Sequence, residues 1–326
     1  MSDFEHRIER AIATQEIPGC ALVSTNRDGA FTYKKAFGST SMKEENAKPF
    51  ALDTTMWVAS CTKLMTSLCA MQLVERGLVT LDEPVYKHIP ELEKLPVLKG
   101  FEKDSGKPIE EKPTKPITLR LLLTHSSGLT YDATHPKVMA WLEYHGRKPG
   151  MSGKLLERFN NTPLVFEPGE SWMYGPSIDY AGLLVERLTG KTLEEYMKEN
   201  LWGPLGISDM TFFLSKRPDI DARMADMSLR DETGKVRYTE SKVTYVDGEG
   251  KEVENCMGGQ GVFTSAEEYL KVLHALLICD ENEKILKKAS LEEFFRPQLG
   301  EGSSAALNAV LEDDMVSDLP PRRLLV

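Results

Sequence analysis

Residues 56–77, MWVASCTKLMTSLCAMQLVERG, constrain the fold more than any other stretch of this chain. The run begins as a buried-looking strand, MWVA. It continues as an amphipathic helix over 60–76, in which Leu64, Met65, Leu68, Met71 and Leu73 form a broad apolar face. Gly77 fits the residue that stops such a helix. A strand feeding a helix of this kind requires further layers on which both can bury their apolar sides.

The rest of the chain supplies those layers. Residues 4–14 have helical spacing, and GCALVSTNRDGAFTYKKAFG is predicted as a β-hairpin turning at NRDG. Beyond residue 81 the pattern turns helical. ITLRLLLTHSSGL is predicted as a short helix ended by Gly128, and DYAGLLVERLTG and TLEEYMKENLWGPLG as two helices closed by glycine. KGFEKDSGKPIEEKPTKP is predicted as a solvated loop and residues 234–255 as a small hairpin. GGQGVFTSAEEYLKVLHALLIC is a glycine-rich entry into a helix, with Ser265 as N-cap and Glu268 completing a capping box. This order predicts one α+β domain: an α/β part over 1–80 and 256–326, carrying a mainly helical insert over 81–255.

Composition removes several functions. Of 326 residues, 41% are hydrophobic, and the formal net charge of −10 disfavours a nucleic-acid backbone. Five cysteines without CxxC spacing (Cys20, Cys61, Cys69, Cys256, Cys279) argue against a disulfide scaffold and against a zinc site. The N-terminal stretch has no basic region followed by an apolar core, and no run of about 18 apolar residues exists. A cytoplasmic protein without a membrane span is the expectation.

Ser60 and Lys63 stand at the strand-to-helix join, one helical turn apart. Ser-x-x-Lys is expected about once by chance in a chain this long, with the serine as N-cap and the lysine solvated. The context offers a second reading. A lysine held beside a core-packed helix start loses basicity through desolvation and can take a serine proton. Such a pair also wants a proton relay, and Tyr174 in EPGESWMYGPSIDYAG lies in a glycine-bounded turn before a helix, although a half-buried packing tyrosine fits there too.

ASCTKLMT, ITLRLLLTHSSGL, FEPGESWMYGPSIDYAGLLVERLTG, PLGISDMTF and GGQGVFTSAEEYLKVLHALL, in that order, resemble the serine β-lactamase-like proteins of the class C and penicillin-binding type. YGPSIDYAG and CMGGQGVF are most similar to its fungal polyketide acyltransferases (transesterases) of the lovastatin type. The resemblance implies a β-lactamase/transpeptidase-like fold, with an antiparallel sheet flanked by helices. It also implies a Ser60 acyl-enzyme with Lys63 as base and Tyr174 as relay. No cofactor or metal is implied. The donor would be an acyl thioester, on a polyketide synthase carrier domain or a small thiol, and the acceptor a small-molecule alcohol. An intracellular serine esterase of the same family, or an inactive truncated fragment, is the alternative.

Two departures stand out. Where the lactamase and peptidase branches carry Tyr-x-Asn, this chain has Pro176, which offers no side-chain amide. A Lys-Thr-Gly-like or Trp-Gly-Gly-like strand, the source of a second oxyanion N–H, is not found. A C-terminally shortened chain, with closing strands missing, is therefore expected. Trp57 is a candidate floor of the acyl pocket, Tyr245 a candidate on the acceptor side, and Gly258, Gly259 and Gly261 candidates for close backbone approach. His125 and His274 are expected to be structural, and Cys61 a packed thiol.

Overall fold

A computed structural model describes residues 2–150, 152–160, 162–240 and 245–312. Helix α1 (Asp3–Ala13) starts in a capping box between Ser2 and Glu5 and leads into β1 (Gly19–Thr25) and β2 (Thr32–Gly38). These strands pair antiparallel from Gly19↔Gly38 to Thr25↔Thr32, as the sequence predicts. The turn between them is tied down by Arg27, which donates to the Asp280 and Glu281 carboxylates and the Leu277 carbonyl.

Strand β3 (Thr55–Trp57) runs into helix α2 (Thr62–Glu75) through a short 3₁₀ turn, Ala59–Cys61. Helix α2 is wrapped on nearly every side: Met65, Leu68, Cys69, Ala70, Met71 and Leu73 are all buried. Its apolar surface is thus wider than the single face expected. Short α3 (Pro90–Glu93) follows, then β4 (Val97–Phe101) and β5 (Pro108–Glu111). These two strands correct the expectation of a solvated loop over 99–116. They form an antiparallel hairpin with a register shift between Leu98 and Gly100, and Val97 and Leu98 are buried.

The helical stretch continues with α4 (Leu119–Leu123), α5 (Pro136–Tyr144), α6 (Leu155–Phe159), α7 (Ser177–Thr189) and α8 (Leu193–Met197). Helix α4 ends at Thr124, before the predicted Gly128. Gly190 closes α7 in the left-handed conformation at φ 70°, and Gly206 does the same at φ 63° beyond α8 and its π and 3₁₀ continuation. Helix α7 packs between α2 and α4 at the centre of the core.

Strand β6 (Met210–Thr211) and short α9 (Pro218–Asp221) precede β7 (Ser228–Arg230) and β8 (Val236–Tyr238). The hairpin predicted over 234–255 is displaced: β8 pairs back onto β7, which lies upstream of that range. Downstream, among the described residues, only an isolated bridge joins Val246 and Glu252. Residues 241–244 of that prediction lie outside the described residues. Strand β9 (Phe263–Ser265) sits between β3 and β6 in a three-stranded antiparallel sheet.

Helix α10 (Ala266–Leu277) packs on β1 and begins at Ser265, whose side chain accepts the Glu268 N–H at 3.3 Å. Glu268 does not complete the predicted capping box. Its carboxylate accepts the Ser208 N–H at 3.1 Å and takes Lys271, so the acid links α10 to the approach of β6. The last described elements are α11 (Cys279–Asn282), α12 (Lys288–Phe295) and α13 (Glu301–Glu312). No helix among the described residues is long and apolar enough to cross a membrane.

Candidate active site

The β3–β9 ladder (Thr55↔Ser265, Met56↔Thr264, Trp57↔Phe263) extends by one bond, Val58 N–H to the Val262 carbonyl at 3.0 Å. The chain must then leave the sheet and start α2 within three residues. It does so through Ala59, held at φ 45° in the left-handed region that alanine disfavours by about 1–2 kcal/mol. Thr62 fastens the turn from the other side, its hydroxyl accepting the Val262 N–H at 3.1 Å. Ser60 is thereby lifted out of the sheet and left exposed.

Lys63, half-buried, returns to Ser60 as its spacing predicts. Its Nζ donates to Ser60 Oγ at 3.1 Å and to the Gly259 carbonyl at 2.7 Å, and stands 4.5 Å from the centre of the Tyr174 ring. Tyr174, 37% exposed, donates its hydroxyl to Ser60 Oγ at 2.5 Å. The three side chains singled out in the sequence therefore meet on one oxygen. Two come from one helical turn and the third from a segment 114 residues away.

Tyr174 is aimed by aromatic packing. Its ring lies 4.8 Å from that of His125, 5.9 Å from Tyr131 and 6.4 Å from Trp172, and the Met173 N–H is held by the His125 carbonyl at 3.0 Å. Gly175 lets the chain turn at once: a Cβ there would stand 2.6 Å from the Leu129 carbonyl oxygen. Pro176 then opens α7. Ser303 of α13 bonds the Ser171 carbonyl at 2.9 Å, so the last described helix backs the same turn.

The model of the Beta-lactamase family matches residues 4–311. The chain belongs to the beta-lactamase family. Among curated relatives it is 39% identical over 304 residues to monacolin J acid methylbutanoyltransferase of Aspergillus terreus, covering 91% of this chain and 70% of that one. It is 36% identical over 307 residues to lovastatin esterase of Penicillium rubens, covering 93% and 74%. A mutant of simvastatin synthase from Aspergillus terreus superimposes with a TM-score of 0.83 at 39% identity, over 94% of this chain and 72% of that structure. The fold is accordingly β-lactamase/transpeptidase-like.

Within this beta-lactamase family fold the remaining candidates separate. Trp57 sends its Nε1–H to the Gln260 carbonyl and lines a cavity of about 490 Å³ together with Met224, Met227, Tyr238 and Val246. Tyr245 is buried, its carbonyl accepting the Val253 N–H at 2.8 Å, and burial pushes its hydroxyl pKa up. Gly258 and Gly259 are buried in the backbone that faces α2: the Gly258 carbonyl takes the Thr66 hydroxyl at 2.7 Å and the Gly259 carbonyl takes Lys63. Gly261 packs against Phe212 and Met257. His274 is half-buried and bonds the Arg27 carbonyl through Nε2 at 3.1 Å.

Cys61 corrects the sequence reading. It is an exposed thiol, because the 3₁₀ turn set by Ala59 rotates its side chain away from the core while its carbonyl accepts Tyr269 OH at 2.9 Å. Ser60 likewise stands on an open surface, so the helix start is less deeply packed than expected. The signal missed in the sequence is Asp179, a fully buried acid in the first turn of α7 whose Oδ1 accepts the Gly259 N–H at 3.0 Å.

His125 packs against Tyr174 with φ 57° and a buried Nδ1 that has no partner among the described residues. Burial first, and Lys63 second, hold its pKa down to about 3, against the ordinary 6.5. The unfolded chain therefore takes up this proton before the folded one as pH falls. Stability is full above about pH 6.5 and declines toward pH 3, at a rate of at most about 1.4 kcal/mol per pH unit. Asparagine tolerates the positive φ and does not titrate. Thermal melts of His125→Asn are expected to fall less steeply than wild type between pH 6.5 and pH 4.

Proposed function

We propose that the chain is a serine acyltransferase that moves an acyl group from a thioester to the hydroxyl of a polyketide-type metabolite. The observation that carries the reading is the convergence of Lys63 Nζ and Tyr174 OH on the exposed Ser60 Oγ, at 3.1 and 2.5 Å. The names of its relatives supply the substrate class. In this scheme Ser60 Oγ attacks the thioester carbonyl while the Lys63 amine, in its neutral form, takes the serine proton. The C–S bond breaks, and the thiolate leaves with a proton returned through Tyr174. The acceptor hydroxyl then attacks the carbonyl of the Ser60 ester, giving its proton to the Tyr174–Lys63 pair; the bond between Ser60 Oγ and the acyl group breaks, and the pair returns that proton to Oγ, regenerating Ser60.

The Ser60 N–H, which meets no acceptor among the described residues, is suited to donate to the developing oxyanion. Trp57 and Tyr245 would border the acyl and acceptor sides, with Gly258 and Gly259 forming the backbone wall. Pro176 leaves no side-chain amide to grip a lactam or peptide, which fits an ester or thioester substrate.

The test is incubation with a short acyl thioester, with and without small secondary alcohols, followed by mass analysis of products. Ester formation faster than free-acid release is expected. Free acid alone, whatever the alcohol, would assign the chain to hydrolysis instead. A carrier domain of a polyketide synthase would be the physiological donor if acyl-carrier thioesters outcompete small thiols in the same assay.

A further inference from the structure

Asp179 lies at the third position of α7, five residues after Tyr174, with no exposed surface. An acid in a first helical turn normally needs only the free N–H groups of its own helix. Asp179 instead reaches across to another segment. Its Oδ1 accepts the Gly259 N–H at 3.0 Å, and its carboxyl plane presses on Gly259 so closely that a Cβ there would stand 2.3 Å from Oδ2. Oδ2 has no partner among the described residues, although a buried carboxyl is costly to leave half-satisfied. Through its carbonyl the same glycine holds Lys63 Nζ at 2.7 Å. One carboxyl thus joins the helix that follows Tyr174 to the backbone that holds Lys63.

We propose that Asp179 is a positioning residue for the Ser60 centre: it locks the Gly259 backbone so that its carbonyl keeps Lys63 Nζ within reach of Ser60 Oγ, in register with Tyr174. The inference rests on the acyl-enzyme reading above. Burial pushes the Asp179 carboxyl above the usual carboxylate range, opposed by the Gly259 N–H and then by Lys63 and Arg158. The Gly259 N–H needs an acceptor oxygen at this place and the glycine a side chain of this shape beside it, so asparagine should serve as a partial mimic.

Stopped-flow acylation with a p-nitrophenyl ester separates positioning from folding, because burst amplitude counts active sites and the burst rate constant reports the chemistry at each. Asp179→Ala is expected to slow acylation per active site about 10²-fold, as misplacement of a reacting group by about 1 Å does. KM should stay within about threefold of wild type, the pattern of a lost transition-state interaction. Asp179→Asn should recover most of that loss. Gly259→Ala, which displaces the carboxyl sterically, should slow the burst at least about tenfold.

A wild-type burst rate in Asp179→Ala, with only amplitude or melting temperature reduced, would overturn the proposal. So would an Asp179→Asn protein no faster than Asp179→Ala. Should Asp179→Ala fail to fold, Gly259→Ala decides alone, and an unchanged burst rate there is equally fatal. Ser60→Ala in the same assay separates the two levels of inference. A persisting burst in Ser60→Ala removes the acyl-enzyme reading and this proposal together. A silent Ser60→Ala beside a wild-type Asp179→Ala removes this proposal only.

Discussion

Ser60→Ala protein incubated with an acyl thioester is expected to gain no acyl mass, and its turnover to fall by about 10⁶, the size of loss seen when a serine nucleophile is removed. The same substitution should leave the fold almost untouched. Ser60 is exposed and does not cap α2 with its side chain, and exposed sites of this kind usually change stability by no more than about 0.5 kcal/mol. Intact-mass spectrometry and a thermal melt on the same sample check both halves. Acylation at another residue, with the exposed Cys61 as immediate neighbour, would show as an added acyl mass in the Ser60→Ala protein and would move the nucleophile off Ser60.

Lys63→Met is expected to behave differently, because Lys63 joins two structures. The methionine keeps most of the stem but loses the amine. Removing a general base typically costs about 10²–10⁴ in rate. The substitution also deprives the carbonyl of the buried Gly259 of its donor, which costs about 1–3 kcal/mol when no water replaces it. Turnover and melting temperature should therefore fall together in Lys63→Met, whereas only turnover falls in Ser60→Ala. A Lys63→Met protein with a wild-type acylation rate would show that Tyr174 activates Ser60 unaided.

The catalytic candidates were legible because their geometry is local or strongly framed. Ser60 and Lys63 are fixed by one turn of helix, and Tyr174 stands between aromatic residues and a glycine that mark a tight turn. Elements whose partners are remote or polar were less legible. The hairpin over Val97–Phe101 and Pro108–Glu111 carries so many lysines and glutamates that its two buried residues, Val97 and Leu98, do not make a period-two pattern. Strand Val236–Tyr238 falls inside the predicted hairpin, but its partner Ser228–Arg230 is three residues long with a single apolar residue, so the alternation points to a pairing downstream instead. The exposure of Cys61 follows from the positive φ of Ala59, a backbone state that an alanine does not advertise. Asp179 was hidden for the opposite reason: acids are ordinary in a first helical turn, and nothing local marks one that bonds a glycine 80 residues away.

The acceptor that holds Lys63 is a main-chain carbonyl, and this alters how the site can vary over generations. No substitution at position 259 can delete that oxygen, since every amino acid carries one. What substitution can change is the bulk beside it, where the Asp179 carboxyl leaves no room for even a methyl group. Drift at this position is filtered by volume and not by chemical identity. A route to a larger residue at 259 therefore runs first through a smaller one at 179, so the two positions are expected to change in that order.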